Sequence, residues 1–220
     1  MTGRPVLLVL AGVNGAGKSS VGGHLLRQAG VTWFNPDAFA RELTSAAGCD
    51  QETANALAWD DGLRRLDEAI ANGRSYAFET TLGGRTIAAR LLAAARTRTH
   101  DVLVWFCGLT SPELHIARVR LRVAGGGHDI PEPTVRARYR SARRNLIRLM
   151  PHLAHLKVYD NSASVMPGEA VPDPMLILEM KDGTLVWPAP GDLETLRQTP
   201  DWAKPLMEAA LARSSERGSP

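Results

Sequence analysis

Apolar runs and stretches of helical period alternate along the first two thirds of the chain, an order that predicts an α/β fold around a mainly parallel sheet. Residues 5–11 are apolar without a break, the pattern of a strand covered on both faces. Helical spacing over 18–29 ends at Gly30, and a short strand is expected at 32–34. A long helix follows over 51–72, closed by Gly73, with Leu57, Leu63, Leu66 and Ile70 near one face. Strands at 76–78 and 102–107 flank a helix at 86–97. Ser111 reads as an N-cap with Pro112 in the first helical position. That helix runs to about 124, and Gly125, Gly126 and Gly127 separate it from a second helix starting near Pro133. A strand at 156–159 is expected to be the fifth. Segments 175–180 and 184–187 read as a hairpin, 202–212 as a last helix and 214–220 as a frayed tail.

The 220 residues fit one domain, with a hairpin and helix over 163–220 as a C-terminal decoration. A 44% apolar, 22% charged composition excludes disordered and fibrous classes. No run nears the roughly 18 apolar residues of a membrane span. The 6–13 run leads straight into a glycine-rich loop rather than a cleavage site, so a cytoplasmic protein is expected and a secretory leader is not. A net charge of +3 argues against a nucleic-acid partner. Cys49 and Cys107 match no metal or redox spacing and are expected as free thiols.

The basic residues carry more information than their sum, since 22 are Arg and 4 are Lys. Lys18 is the sole lysine in the first 156 residues, a position that selects a compact ammonium over a planar fork. It lies in Gly12-Val13-Asn14-Gly15-Ala16-Gly17-Lys18-Ser19, which fits G-x-x-x-x-G-K-[ST] between an apolar strand and a helix. Such a loop turns backbone N–H groups onto phosphate oxygens at a helix N-terminus. Gly12, Asn14, Gly15, Ala16, Gly17, Lys18, Ser19 and Ser20 are therefore expected to bind ATP, with Lys18 on the β- and γ-phosphates and Ser19 on Mg²⁺. The usual second acidic motif, an apolar strand ending in Asp, is missing from the fourth strand, because 102–107 ends in Gly108.

Other carboxylates must take that part. In open α/β sheets ligands sit beyond the carboxyl ends of the strands, where Asp37 and Glu79 are expected. Asp37 is read as the base that accepts a proton from an acceptor hydroxyl, with a helix N-cap as its structural alternative. Glu79, Thr80 and Thr81 suit a polar acceptor, or else a capped turn.

From 111 to 148 nine arginines face Glu113, Asp129 and Glu132. Arg118 and Arg122 share a helix face. Val135, Tyr139, Ala142, Leu146 and Leu149 form an apolar stripe, with Arg136, Arg140 and Arg143 on the next arc. Two basic helices joined by a glycine-rich turn read as a lid over phosphates, or as a solvated basic pair. His128 is a loop residue or a ligand contact, and His152 and His155 lack a third metal ligand nearby.

The series GVNGAGKSS, NPDAF, FETTL, RVRLRVAGGGHDIPEPTVRARYRSARRNL and YDNS resembles the zeta-toxin family of small P-loop kinases, over residues 5–162. The resemblance implies a P-loop kinase fold using ATP and Mg²⁺, phosphorylation of UDP-N-acetylglucosamine or a related UDP-sugar, and an antitoxin partner. On it, Lys18 matches the phosphate-loop lysine, Asp37 the general base, Glu79 with Thr80 the acceptor segment, and Arg118 or Arg122 with Arg136 the lid arginines. The chain is shorter than the larger toxins, and its GGGHDIP turn belongs to a small branch. A kinase of another small molecule, an NTP-driven binding switch and a polynucleotide kinase are the other readings; an acceptor base at Asp37 separates kinases from a switch.

Overall fold

The computed structural model describes residues 3–19, 22, 26, 30–163 and 172–218. Strands β1 (Val6–Ala11), β2 (Tyr76–Thr80), β3 (Asp101–Gly108), β4 (His155–Asp160), β5 (Met175–Lys181) and β6 (Thr184–Trp187) form one sheet in the order β2-β1-β3-β4-β5-β6. The first four neighbours are parallel, and β5 and β6 are antiparallel additions. Since β1 lies between β2 and β3, the chain leaves it to opposite sides, and a crevice opens beyond its carboxyl end. Register aligns the strand ends there: Ala11 is level with Thr80 and Phe106, and Gly108 with Asp160.

Helices α1 (Pro36–Ala47), α2 (Gln51–Ala71), α3 (Arg85–Thr97), α4 (Pro112–Ala124), α5 (Glu132–Leu149), α6 (Leu193–Arg197) and α7 (Lys204–Gly218) surround the sheet. Helices α1, α2, α4 and α6 start at side-chain caps from Asn35, Asp50, Ser111 and Asp192. Ser111 accepts from the Leu114 N–H at 3.2 Å, with Pro112 behind it. The α5 stripe packs as its period predicts: Val135, Ala142, Leu146 and Leu149 are buried in the main core with Phe106, Val104 and Leu156. The expected lid helix is thus anchored in the core along most of its length. No helix among the described residues is long and apolar enough to cross a membrane.

Four sequence expectations change. Residues 32–34 give only a single parallel bridge, Phe34 to Phe78, because Pro36 cannot donate to a continued ladder. On α2 the face that packs on α1 is made of Ala54 and Ala58, so Leu57 stays 46% exposed while Leu66 is buried. The expected frayed tail is helical through Gly218, and Ser214 accepts the Leu185 N–H of β6 at 2.9 Å. The short helix α6, capped by Asp192, was not expected. Within 18–29, Lys18, Ser19, Gly22 and Leu26 are helical and the remainder lies outside the described residues.

The hairpin forms where expected, its turn carried by Asp182 and Gly183 at φ of 48° and 76°. It prolongs the central sheet rather than standing apart from it. The chain beyond it also enters the core. Trp202 is buried, tilts against Phe106 at 6.4 Å between ring centroids, and donates its indole N–H to Asp160 at 3.3 Å. We therefore expect Trp202→Ala to lower the unfolding free energy by about 3–5 kcal/mol in urea titrations. A loss below about 1 kcal/mol would reduce the segment after β6 to an independent appendage.

Candidate active site

The loop after β1 crosses the sheet's carboxyl edge under tight restraint. Gly12 has φ 145° and its N–H donates to the Thr80 carbonyl at 3.2 Å; a Cβ there would collide with the Cys107 carbonyl oxygen. Gly17, at φ 81°, leaves no room for a Cβ beside the Asn161 side-chain amide. That amide donates to the Ala16 carbonyl at 2.9 Å. Buried His115 donates from Nδ1 to the Asn14 carbonyl at 2.8 Å, and Arg138 donates to Asn14 Oδ1 at 2.9 Å. Gly15 lies against the His115 carbonyl and the Arg118 side chain. Three elements thus clamp the loop: α4 through His115, α5 through Arg138, and the end of β4 through Asn161. On the strand beside the loop, burial pushes the Cys107 thiol up to about 12, so it stays protonated.

Glu79 connects the loop to β2. It is 7% exposed, accepts the Ser19 hydroxyl at 3.0 and 3.1 Å and an Asn35 amide N–H at 3.0 Å, and lies 3.7 Å from Lys18 Nζ. A hydroxyl and a carboxylate at hydrogen-bond distance from one another form a hard oxygen donor set that fits Mg²⁺. The carboxylate expected to hold the acceptor is therefore turned toward Ser19 and Lys18. Thr80 and Thr81 line the same cleft, and each hydroxyl accepts a backbone N–H two residues on, from Leu82 at 3.1 Å and Gly83 at 3.3 Å.

Asp37 stands at the start of α1, yet it is not the cap. Asn35 accepts the Ala38 N–H at 3.1 Å and Pro36 follows it. Asp37 is left to face the cleft, with Arg122 at 3.4 Å. Arg122 also donates to the His128 carbonyl at 3.2 Å. The cleft has a volume of about 420 Å³ and brings Lys18, Asn35, Asp37, Glu79, Thr80 and Arg138 together.

The other expected arginines divide. Arg118 donates to the Ala163 carbonyl at 3.1 Å beside the loop. Arg136 is directed away, onto Glu113 at 2.5 Å on the outer surface. Arg138 occupies the cleft side of α5, and Ser20 lies outside the described residues. Sequence reading missed Arg138, Asn145, Asn35 and His115. Buried Asn145 donates to the Leu82 and Gly84 carbonyls, fixing the turn after β2. Arg138 and Asn145 fall at helical intervals from Val135 and Ala142, so polar residues interrupting the apolar stripe were the available signal. For Asn35 the signal was an Asn directly before Pro36. His152 and His155 form no metal cluster among the described residues, and His155 pairs with Glu179 at 2.7 Å.

Burial, and then the nearby Lys18, Arg118 and Arg143 charges, push the His115 imidazole down to about 4, against the bond to the Asn14 carbonyl. A folded value below the ordinary 6.5 means that the unfolded chain binds the extra proton. Stability from this group is complete above pH ~6.5 and falls as pH drops toward ~4. We expect the unfolding free energy of His115→Gln to decline less than the parent's over that interval, measured by urea titration at stepped pH. Equal declines would place the acid sensitivity elsewhere.

Residues 7–146 match the family described as AAA domain. A protein of Haemophilus influenzae of unknown activity is 30% identical over 134 residues, 58% of this chain and 88% of its own length. Among solved structures, a chain of AvrRxo1-ORF1:-ORF2 with ATP superposes with TM-score 0.60 at 16% identity, covering 90% of this chain and 64% of that one. A chain of the PezAT chromosomal toxin-antitoxin system of Streptococcus pneumoniae gives TM-score 0.56 at 14% identity, over 98% and 88%. The family match spans the phosphate loop, Asp37, Glu79 and the arginine helices, and on it the chain belongs to the AAA domain family.

Proposed function

We propose that the protein is an ATP-dependent kinase that transfers the γ-phosphate to a hydroxyl of a small acceptor. The observation that carries this is one cleft lined by both the phosphate-loop Lys18 and the uncapped carboxylate Asp37. An NTP-driven switch has no use for a carboxylate placed where an acceptor alcohol would enter. The fold shared with a chain solved with ATP supports the nucleotide.

In this reading Lys18 neutralises the β- and γ-phosphate oxygens, and Glu79 orients both Lys18 and Ser19. Mg²⁺, held through Ser19 with Glu79 behind it, supplies charge neutralisation on the phosphates. Asp37 accepts the acceptor's hydroxyl proton, and Arg122 holds its carboxylate in place. Arg138 and Arg118, on the two helices that bracket the loop, donate to the transferring phosphoryl group. Thr80 and Thr81 contact the acceptor. Arg136, bound to Glu113, takes no part.

The acceptor implied by the zeta-toxin resemblance is UDP-N-acetylglucosamine or a related UDP-sugar, and the fold shared with the PezAT chain supports an antitoxin partner. A phosphate-free small molecule is the alternative acceptor. The two free cysteines fit the reducing, ATP-supplied cytoplasm.

Two substitutions test the assignment with labelled ATP and a panel of acceptors read by mass. Lys18→Ala should fold, bind ATP weakly and lose at least ~10²-fold in transfer. Parental transfer would remove the loop from the reaction. Asp37→Asn keeps the size and leaves the Asn35 cap untouched, so it should bind ATP as the parent does and lose roughly 10²–10⁴-fold in turnover. Unchanged turnover would pass the proton to Glu79.

A further inference from the structure

We infer that the cavity at the amino edge of the sheet, at the opposite end from the phosphate loop, binds a small molecule carrying two or more phosphates. This second anion site does not depend on kinase chemistry at the carboxyl edge.

The strands begin at this edge. Arg4 precedes β1, Asp101 opens β3, and the 3-10 turn Met150–His152 leads into β4. Backbone bonds stitch these starts together. The Asp101 N–H donates to the Pro5 carbonyl at 2.9 Å, the Ala154 N–H to the Val102 carbonyl at 3.0 Å, and the Asp182 N–H to the Ala154 carbonyl at 2.9 Å. The rim is therefore fixed by the sheet itself. The cavity within it has a volume of about 530 Å³, the size of a small-molecule site. Strand β3 runs from this rim to the phosphate loop, and its eight residues place the two ends more than roughly 20 Å apart. A triphosphate seated on the loop does not reach across that distance.

The lining is cationic. Arg96 and Arg98 from the end of α3, Arg4 before β1 and Arg213 on α7 face the cavity, against the carboxylates Asp101 and Asp182. Arg4 is paired with Asp101 at 2.7 Å. Among the described residues, Arg96 and Arg98 take part in no ion pair. The helix dipole favours cations at the end of α3, but it does not account for an arginine arriving from α7. Partial burial, and then the Arg96 and Arg213 charges, hold the His152 imidazole below its ordinary value. Cations of α3 and α7 thus act on one side chain of the lining. Like charges brought together repel, and an anion between them removes that cost. Arginine forks match phosphate oxygens in pairs. Condensed phosphates offer oxygens in several directions, so one molecule meets forks arriving from α3 and α7 together. A planar carboxylate serves forks on one side only.

Calorimetry with inorganic tripolyphosphate tests the site, in EDTA so that no metal competes for the phosphates. Full-length Lys18→Ala, whose phosphate loop is weakened, should still bind one equivalent, and the parent should bind one more. Adding Arg96→Gln and Arg98→Gln, at two exposed positions and checked by melting curve, should weaken the site retained in Lys18→Ala at least about tenfold. Adding Arg120→Gln and Arg136→Gln instead removes the same charge from the outer surface and should leave the affinity within about threefold. Hexaglutamate, the probe for an acidic protein segment, should bind more weakly than tripolyphosphate. Three results each overturn the inference: no binding by Lys18→Ala, a loss at Arg96 and Arg98 no larger than at Arg120 and Arg136, or hexaglutamate as the tighter ligand.

Discussion

A phosphate loop that turns through positive φ at Gly12, Gly15 and Gly17 has few internal partners for its own carbonyls, and buried carbonyls must be paired. Here the missing donors come from distant segments. His115 reaches the Asn14 carbonyl from α4, and Asn161 reaches the Ala16 carbonyl from the end of β4. These two bonds, with Arg138 on the Asn14 side chain, set the height of α4, α5 and β4 relative to β1. The parallel register of β1, β3 and β4 then delivers the remaining site residues to one edge. The arrangement leaves little freedom at the glycines, since Cys107 blocks any side chain at Gly12 and Asn161 blocks one at Gly17.

A second level of organisation separates the Asp37 side of the cleft from this frame. Helix α1 rests on α2 through Ala40, Ala54 and Ala58, a small cluster distinct from the main core. Phe39, Leu43 and Cys49 pack against this cluster but stay partly exposed. Asp37, Asn35 and Trp59 all belong to this region. Asn35 ties it back to the frame through Glu79 and Ser19.

What could be read from the sequence followed from strong local signals. The alternation of apolar runs and helical periods located nearly every element, and the loop motif placed Lys18 and Ser19. Capping chemistry located α4 to the residue. Failures came where a neighbour decided the outcome. Residues 32–34 read as a strand but lack a second partner, and Leu57 lies off the α2 face that packs on α1, which is made of Ala54 and Ala58. Among nine clustered arginines, residue type could not separate Arg138, facing the loop, from Arg136, facing Glu113. That distinction depends on the rotation of α5, which its apolar stripe encodes once the polar positions within the stripe are also counted. Glu79 was located near the loop, but its orientation toward Ser19 depends on Asn35, three-dimensional information that no spacing carries.

The position of Cys107 has a practical consequence. Its thiol is buried and held protonated by its surroundings, so electrophiles meet neither an open path nor a thiolate. Cys49 is the other sulfhydryl of the chain, and it sits between α1 and α2 with part of its surface in solvent. Thiol alkylation of the native protein is thus confined to the junction of α1 and α2. A maleimide or a spin label placed on the unmodified chain reports on the segment that carries Asp37, with no need to remove the second cysteine.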